Sequence, residues 1–281
     1  MAGLARRPRL LFLCQTLPYP PDGGVWIRTY HVLRLLAGAF DVTALCFERP
    51  PMDGNDAASD VEASRAALSK FGHVEVFPIP QRTSRIRFAW DHMRSVARQQ
   101  VYTTFLYESR RFQQRMTDLL ATPFDLVHAD SLDLVRYLPA CGDVPIVCVH
   151  HDVESDLLER RASICGSRWR AFYLRHQATL MLKVEREWCR RVAMNVTVSD
   201  HDRMRLKAVV PDARVTVVPN GVDTDEFQPD TTSNGGVAFI GGTSWAPNLD
   251  ALDFFCEQIL PHLPRATRKS HSVRWIGNAT R

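Results

Sequence analysis

The sequence predicts an α/β fold, a doubly wound parallel sheet followed by the beginning of a second unit of the same kind. Three features lead there. Short, almost unbroken apolar runs alternate with longer stretches whose apolar positions recur at helical spacing, the pattern of strands covered by helices on both faces. Clusters of Pro, Gly, Asn and Asp punctuate the alternation. One of them, PNGVDTDEFQPDTTSNGG (219–236), is long enough for an interdomain connection, and the alternation restarts beyond it.

The elements follow in order. RLLFLCQ (9–15) reads as the first strand, TLPYPPDGG as a loop and VWIRTYHVLRLLAGAF (25–40) as an amphipathic helix. Strand DVTALCF (41–47), helix DVEASRAALSKFG (60–72) and strands VEVFPIP (74–80), FDLVHAD (124–130) and VPIVCVHHD (144–152) continue the pattern. A long Arg-rich helical stretch then leads to two short strands, MNVTVSD (194–200) and RVTVVPN (214–220). One domain therefore spans 1–220, with a connection at 221–235. In the second unit, 236–281, the pattern is strand VAFIGG (237–242), helix LDALDFFCEQILPHL (249–263) and strand SVRWIGN (272–278). Two strands and one helix are too few to cover a parallel sheet, so this unit is expected to be incomplete, with an exposed apolar edge. No repeat or low-complexity segment interrupts the chain.

At 45% hydrophobic and 23% charged residues, the composition is that of a globular protein with a true core, which excludes disorder of the whole chain. The seven cysteines form no C-x-x-C pair and no zinc-like spacing, which fits a reducing cytoplasm. The apolar run Leu10–Cys14 that follows the first basic residues is too short for a signal-peptide core. No run reaches the roughly 18 apolar residues of a spanning helix. Net charge is +4, yet residues 80–115 hold eight Arg against Asp91 and Glu108. Within that stretch Ile86, Ala89, Trp90, Met93, Val96 and Ala97 fall at helical spacing. A stripe of this kind either packs on the sheet or docks on a membrane surface with its arginines toward headgroups; packing on the sheet is the expectation for an ordinary surface helix.

Several positions carry chemistry. Asp22-Gly23-Gly24 sits between the first strand and helix, where a doubly wound fold turns backbone N–H groups toward an anion. It has neither the dinucleotide nor the P-loop glycine spacing. His150, His151 and Asp152 end a strand, the edge where ligands bind in such sheets. A histidine there can bond a sugar hydroxyl or, through its carbonyl, stabilise developing positive charge; the alternative is a polar strand end that caps the next helix. A metal site is a further alternative, because His128 and Asp130 end a neighbouring strand. Gly241-Gly242 repeats the glycine turn in the second unit. Asp223-Thr224-Asp225 imitates the D-x-D of metal-dependent transferases but sits in the connection, which points to a structural turn.

VVPNGVDTDEFQP (217–229) resembles the interdomain signature of glycosyltransferase family 4, and FIGGTSWAPNLDALDFFCEQILPHL (239–263) resembles the opening of that family's donor domain. PYPPDGGVWIRTYHVLRLLA, HDVESDLLERRA and TVSDHDR resemble its glycine loop, its H-N-V-E-S segment and its V-S-x-x-D turn. Within the family the pattern is most similar to sugar transferases of bacterial exopolysaccharide and exosortase systems. The resemblance implies a GT-B fold with an acceptor-binding first domain and a nucleotide-sugar-binding second one. It implies retaining transfer from a nucleotide diphosphate sugar to a saccharide or lipid-linked acceptor, without metal or other cofactor.

By the same resemblance Gly23, Gly24, Gly241 and Gly242 lie against the donor and its phosphates. His151 is the catalytic histidine beside the reacting sugar, His150 a second candidate, and Arg28 belongs to the acceptor side. Asp152 stands where the family has Asn. The family's basic pair facing the diphosphate and its E-x7-E segment match nothing in these residues, so the donor domain is expected to be truncated and turnover low. The partners implied are a nucleotide sugar and an acceptor at the inner face of a membrane, with no nucleic acid. A non-catalytic acceptor-binding module at the membrane surface is the alternative.

Overall fold

The computed structural model describes residues 6–49, 61–229, 237–243, 246–264 and 273–277. The chain divides into two compact units, Met1–Gly221 and Val222–Arg281. The first is built on seven strands: β1 (Arg9–Cys14), β2 (Asp41–Phe47), β3 (His73–Phe77), β4 (Leu126–Ala129), β5 (Ile146–His150), β6 (Met194–Thr197) and β7 (Val215–Val217). All pair in parallel, in the order β3-β2-β1-β4-β5-β6-β7. The order reverses between β1 and β4. At such a switch point the crossovers leave on opposite faces, so a crevice opens at the carboxyl ends of the two strands.

The apolar runs form strands because both faces of the sheet are covered. In β1, Leu10, Phe12 and Cys14 pack on one side with Leu33 of α1 (Gly24–Ala39) and Leu68 of α2 (Val61–Leu68). Leu11 and Leu13 pack on the other, against residues of α5 (Arg110–Leu120), the 3-10 segment Leu132–Cys141, and the later helices. Alternate strand residues serve opposite cores. Between β3 and β4 lie α3 (Arg85–Arg98), the single turn α4 (Thr103–Leu106) and α5. Sequence periodicity indicates α3 but not the two that follow it. The Arg-rich stretch after β5 is two helices, α6 (Glu154–Ser163) and α7 (Arg168–Arg191), separated at Ile164–Ser167. Helix α8 (Asp200–Val209) is capped by the Ser199 side chain, which accepts from the Asp202 N–H.

Helix α3 departs from the expectation that its apolar stripe packs on the sheet. Asp91 and Ser95 are its buried residues, while Ile86, Trp90, Met93 and Val96 are exposed. The inward polar face has partners that make it stable there. Gln81 donates to Asp91 Oδ2 at 2.8 Å, Arg94 donates to Asp91 Oδ1 at 3.0 Å, and Gln177 of α7 donates to Ser95 Oγ at 2.8 Å. Buried polar groups are tolerated when they are paired in this way.

The second unit has β8 (Val237–Ile240) and β9 (Val273–Ile276) paired in parallel, with α9 (Ala246–Phe254) between them in sequence. Residues 230–235 of the expected connection, and residue 236 after it, lie outside the described residues. Val237, Ile240, Phe254 and Ile276 are exposed. Asp223-Thr224-Asp225 forms a turn in which Asp223 Oδ1 accepts from the Asp225 N–H at 3.2 Å. Among the described residues no helix is long and apolar enough to cross a membrane. All seven cysteines are free, five of them buried.

Candidate functional site

The loop after β1 delivers Gly23 to the N-cap of α1 in an extended conformation, with no side chain capping the first turn. The free N–H groups of that turn are the anion-attracting end of the helix. The two glycines differ. A Cβ on Gly23 would meet the Trp26 indole at 2.6 Å, whereas a Cβ on Gly24 would meet nothing within 4 Å. Gly23 is therefore a packing residue, and Gly24 faces open space. The loop is braced by Arg49, beyond β2, whose guanidinium lies 3.4 Å from the Trp26 ring centroid. Arg49 also donates to the Pro20 carbonyl at 2.9 Å and pairs with Asp22. No sequence signal marks Arg49, because its role depends on β2 and β1 being neighbours.

Thr29 Oγ1 donates to Asp130 Oδ2 at 2.8 Å, just past the end of β4, and His151 Nε2 lies 3.6 Å from the same oxygen. Burial acts to lower the His151 pKa, but the Asp130 charge outweighs it, so the imidazole is held above its ordinary value. The Nε2 of His151 is buried, and its nearest acidic neighbour is that Asp130 oxygen, beyond ordinary hydrogen-bond length. Arg28 is buried one position earlier on α1. It donates to Asn220 Oδ1 at 2.9 Å and to the Val218 carbonyl at 2.8 Å, joining α1 to the segment after β7. Its Nε remains without a partner.

His150 and His151 are not brought together. Successive strand residues point to opposite faces, and His150 enters the core on the α7 side. There Asn195 Oδ1 accepts from its Nε2 at 2.9 Å, and Cys189 Sγ is 3.9 Å away. The amide of Asn195 in turn donates to the carbonyls of Cys189 and Arg214. Burial pushes the His150 pKa down to about 4. His128 stacks on Phe12 at 4.5 Å between ring centroids and is likewise pushed down to about 4 by burial. Among the described residues no group of three or more His, Cys, Asp and Glu is placed to hold a metal ion.

Beside His151 the N-terminus of α6 adds carboxylates. Glu154 is pushed up to about 8 by burial and by neighbouring Asp133 and Asp152, so it can exchange a proton near neutral pH. Ser155 is held by Glu185 of α7, which accepts from the Ser155 N–H at 3.1 Å and from its hydroxyl. The strand-end position of Asp130 is readable from FDLVHAD; the roles of Thr29, Asp133 and Glu154 are not, because they come from three separate elements. In the second unit, Gly241 and Gly242 form a close-packed turn. A Cβ on Gly241 would meet the Asn248 side chain at 2.6 Å, and Asn248 donates to the Gly242 carbonyl at 2.9 Å. Gly277, at φ +156°, brings its Cα against the Gly241 carbonyl, 2.4 Å from where a Cβ would sit. A hollow of about 1200 Å³ lies apart from the His151 cluster, between α3 and the start of α5.

A seven-stranded doubly wound sheet with polar side chains gathered at its switch point is the arrangement in which α/β proteins of this architecture place their ligand sites. Residues 22–226 match the model of Glycosyltransferase Family 4, and the chain belongs to that family. No curated protein matches its sequence. Among solved structures, HepE of Anabaena, in complex with UDP-glucose, aligns with 97% of this chain and 69% of its own, at 14% identity and a TM-score of 0.48. The Candida albicans trehalose-6-phosphate phosphatase N-terminal domain aligns with 100% of this chain and 66% of its own, at 10% identity and a TM-score of 0.46. At these scores neither likeness bears on function.

Proposed function

We propose that the protein is a retaining glycosyltransferase of the GT-B type, moving a sugar from a nucleotide diphosphate donor to a saccharide or lipid-linked acceptor in polysaccharide synthesis. No metal or cofactor is assigned to it. The observation that supports this most is the convergence at the switch point of His151, oriented by Asp130, with the open helix end at Gly24, in a chain of this family. In this reading the α1 N-terminus attracts the donor phosphates. His151, its imidazole held toward the charged form by Asp130, places positive charge beside the reacting sugar and the departing phosphate, where it stabilises developing negative charge. Asp130 positions the ring and favours its charged form. Arg28, held by Asn220, keeps the acceptor side of the crevice in shape, and the Gly241-Gly242 turn serves the donor.

Titration calorimetry with UDP-glucose, UDP and GDP-mannose tests the reading. One nucleotide sugar is expected to bind the wild type and to bind Gly24→Val about ten-fold or more weakly, because a side chain there blocks approach to the main chain. The variant is expected to keep its melting temperature, since a Cβ at this position meets nothing within 4 Å. Absence of binding by every nucleotide sugar, or equal affinity in the variant, sinks the assignment of this loop.

A further inference from the structure

The stripe on α3 faces outward. Ile86, Ala89, Trp90, Met93, Val96 and Ala97 fall within one third of the helix circumference, and Ile86 is 82% and Trp90 56% exposed. A second exposed set stands beside it. Tyr173 of α7 lies 2.6 Å from His92 Nδ1, and Gln177 donates to Ser95, so α3 and α7 run in the same direction. One turn before Tyr173 comes Trp169, 85% exposed, followed by exposed Phe172, and one turn before His92 comes exposed Phe88. The first turns of the two helices thus hold apolar side chains in adjoining positions.

Arginine outnumbers acid around this face, where Glu108 is paired with Arg94 and Arg136 and Glu159 with Arg175. Arg85 and Arg98 at the two ends of α3, and Arg168 and Arg170 at the start of α7, are exposed. Helix α3 has a single acid, Asp91, which is buried, and residues 168–184 of α7 contain none. The hollow between α3 and α5 adjoins the stripe and is lined by Trp90, Arg94, Arg110 and Arg111. Apolar side chains ringed by arginine, with no exposed acid on α3 or in residues 168–184 of α7, complement a surface that is apolar within and anionic at its rim. A second copy of this chain would oppose arginine to arginine, which disfavours self-association.

We propose that α3 and the first turns of α7 dock this protein on an anionic lipid surface, with Trp90, Met93 and Trp169 entering the headgroup boundary. Arg85, Arg98, Arg110 and Arg111 meet the lipid phosphates, the arginine stems lying along the apolar side chains. The proposal stands apart from the transferase reading, because none of these residues touches the His151 cluster.

Co-sedimentation of the full chain with phosphatidylcholine vesicles, with and without phosphatidylglycerol, tests it. Binding is expected only to the mixed vesicles, and to weaken as salt is raised. Trp90→Ser with Met93→Ser, and separately Arg85→Glu with Arg98→Glu, are each expected to lower the bound fraction about ten-fold. These side chains are exposed, so unchanged melting temperatures will show that the variants fold. Failure to bind mixed vesicles, equal binding to neutral ones, or full binding by both variants overturns the proposal. A dimer in sedimentation equilibrium that Trp90→Ser abolishes overturns it in favour of a second copy. UDP-glucose titration of the same variants is expected to be unchanged, which separates failure here from failure at the switch point.

Discussion

Two faces of one strand end, one residue apart, differ in almost every respect. On the α7 side of β5, His150 is sealed in the core, bonded to an Asn195 that is itself tied to two carbonyls. On the α1 side, His151 turns its Nε2 toward the Asp130 carboxylate at 3.6 Å. The first arrangement is closed and serves stability. The second couples the ring to a charge at the carboxyl end of the sheet, and the proposed chemistry rests on it.

The largest effect that would test this contrast is acid destabilisation. His128 and His150 are held near 4 by burial, against an ordinary value of about 6.5. Below that ordinary value the unfolded chain takes up protons that the native state refuses. Their contribution is therefore complete above about pH 6.5 and is lost as pH falls toward 4, on the order of 3 kcal/mol for each ring. His151 has the opposite sign: its raised pKa gives stability below the ordinary histidine value that is lost as pH rises through the folded one. Urea midpoints between pH 7.5 and pH 5 should fall steeply in the wild type, less steeply in His150→Ala, and at least as steeply in His151→Ala. Equal slopes in all three would dissolve the distinction between the faces.

At neutral pH, His150→Ala is expected to destabilise by about 2–4 kcal/mol, through the cavity and the orphaned Asn195 oxygen. His151→Ala should stay within about 1 kcal/mol of wild type, because that ring is held by one long contact. Thermal unfolding measures both, and the reverse order would overturn the assignment of faces. The smallest effect sharpens the open side. Asp130→Asn removes the charge that raises His151, and its imidazole pKa, followed by NMR, should fall. An unchanged titration would mean that Asp130 does not govern the ring.

Much of the fold was legible because it rests on local pattern. The strands from RLLFLCQ to RVTVVPN appear where their apolar runs stand, since a parallel strand covered on both faces must be apolar throughout. Less was legible where partners decide. The stripe of α3 reads like a core-facing one, and only the pairing of Asp91 with Gln81 and of Ser95 with Gln177 turns the polar side inward. The two glycine turns also look alike in sequence. In the structure Gly241 is closed by Asn248, while Gly24 stands clear.

By itself the sequence determined the α/β class, the order of strands along the chain, the break near residue 220, the resemblance to family 4 and the positions of its glycines and histidines. Tertiary structure alone decided that β1 and β4 are neighbours, that Thr29, Asp130 and His151 meet there, and that His150 turns away. The reason is physical: periodicity reports which residues seek burial, which is a property of each segment. Which buried or half-buried groups face one another depends on how distant segments pair, and that pairing is set by the packing of the whole sheet.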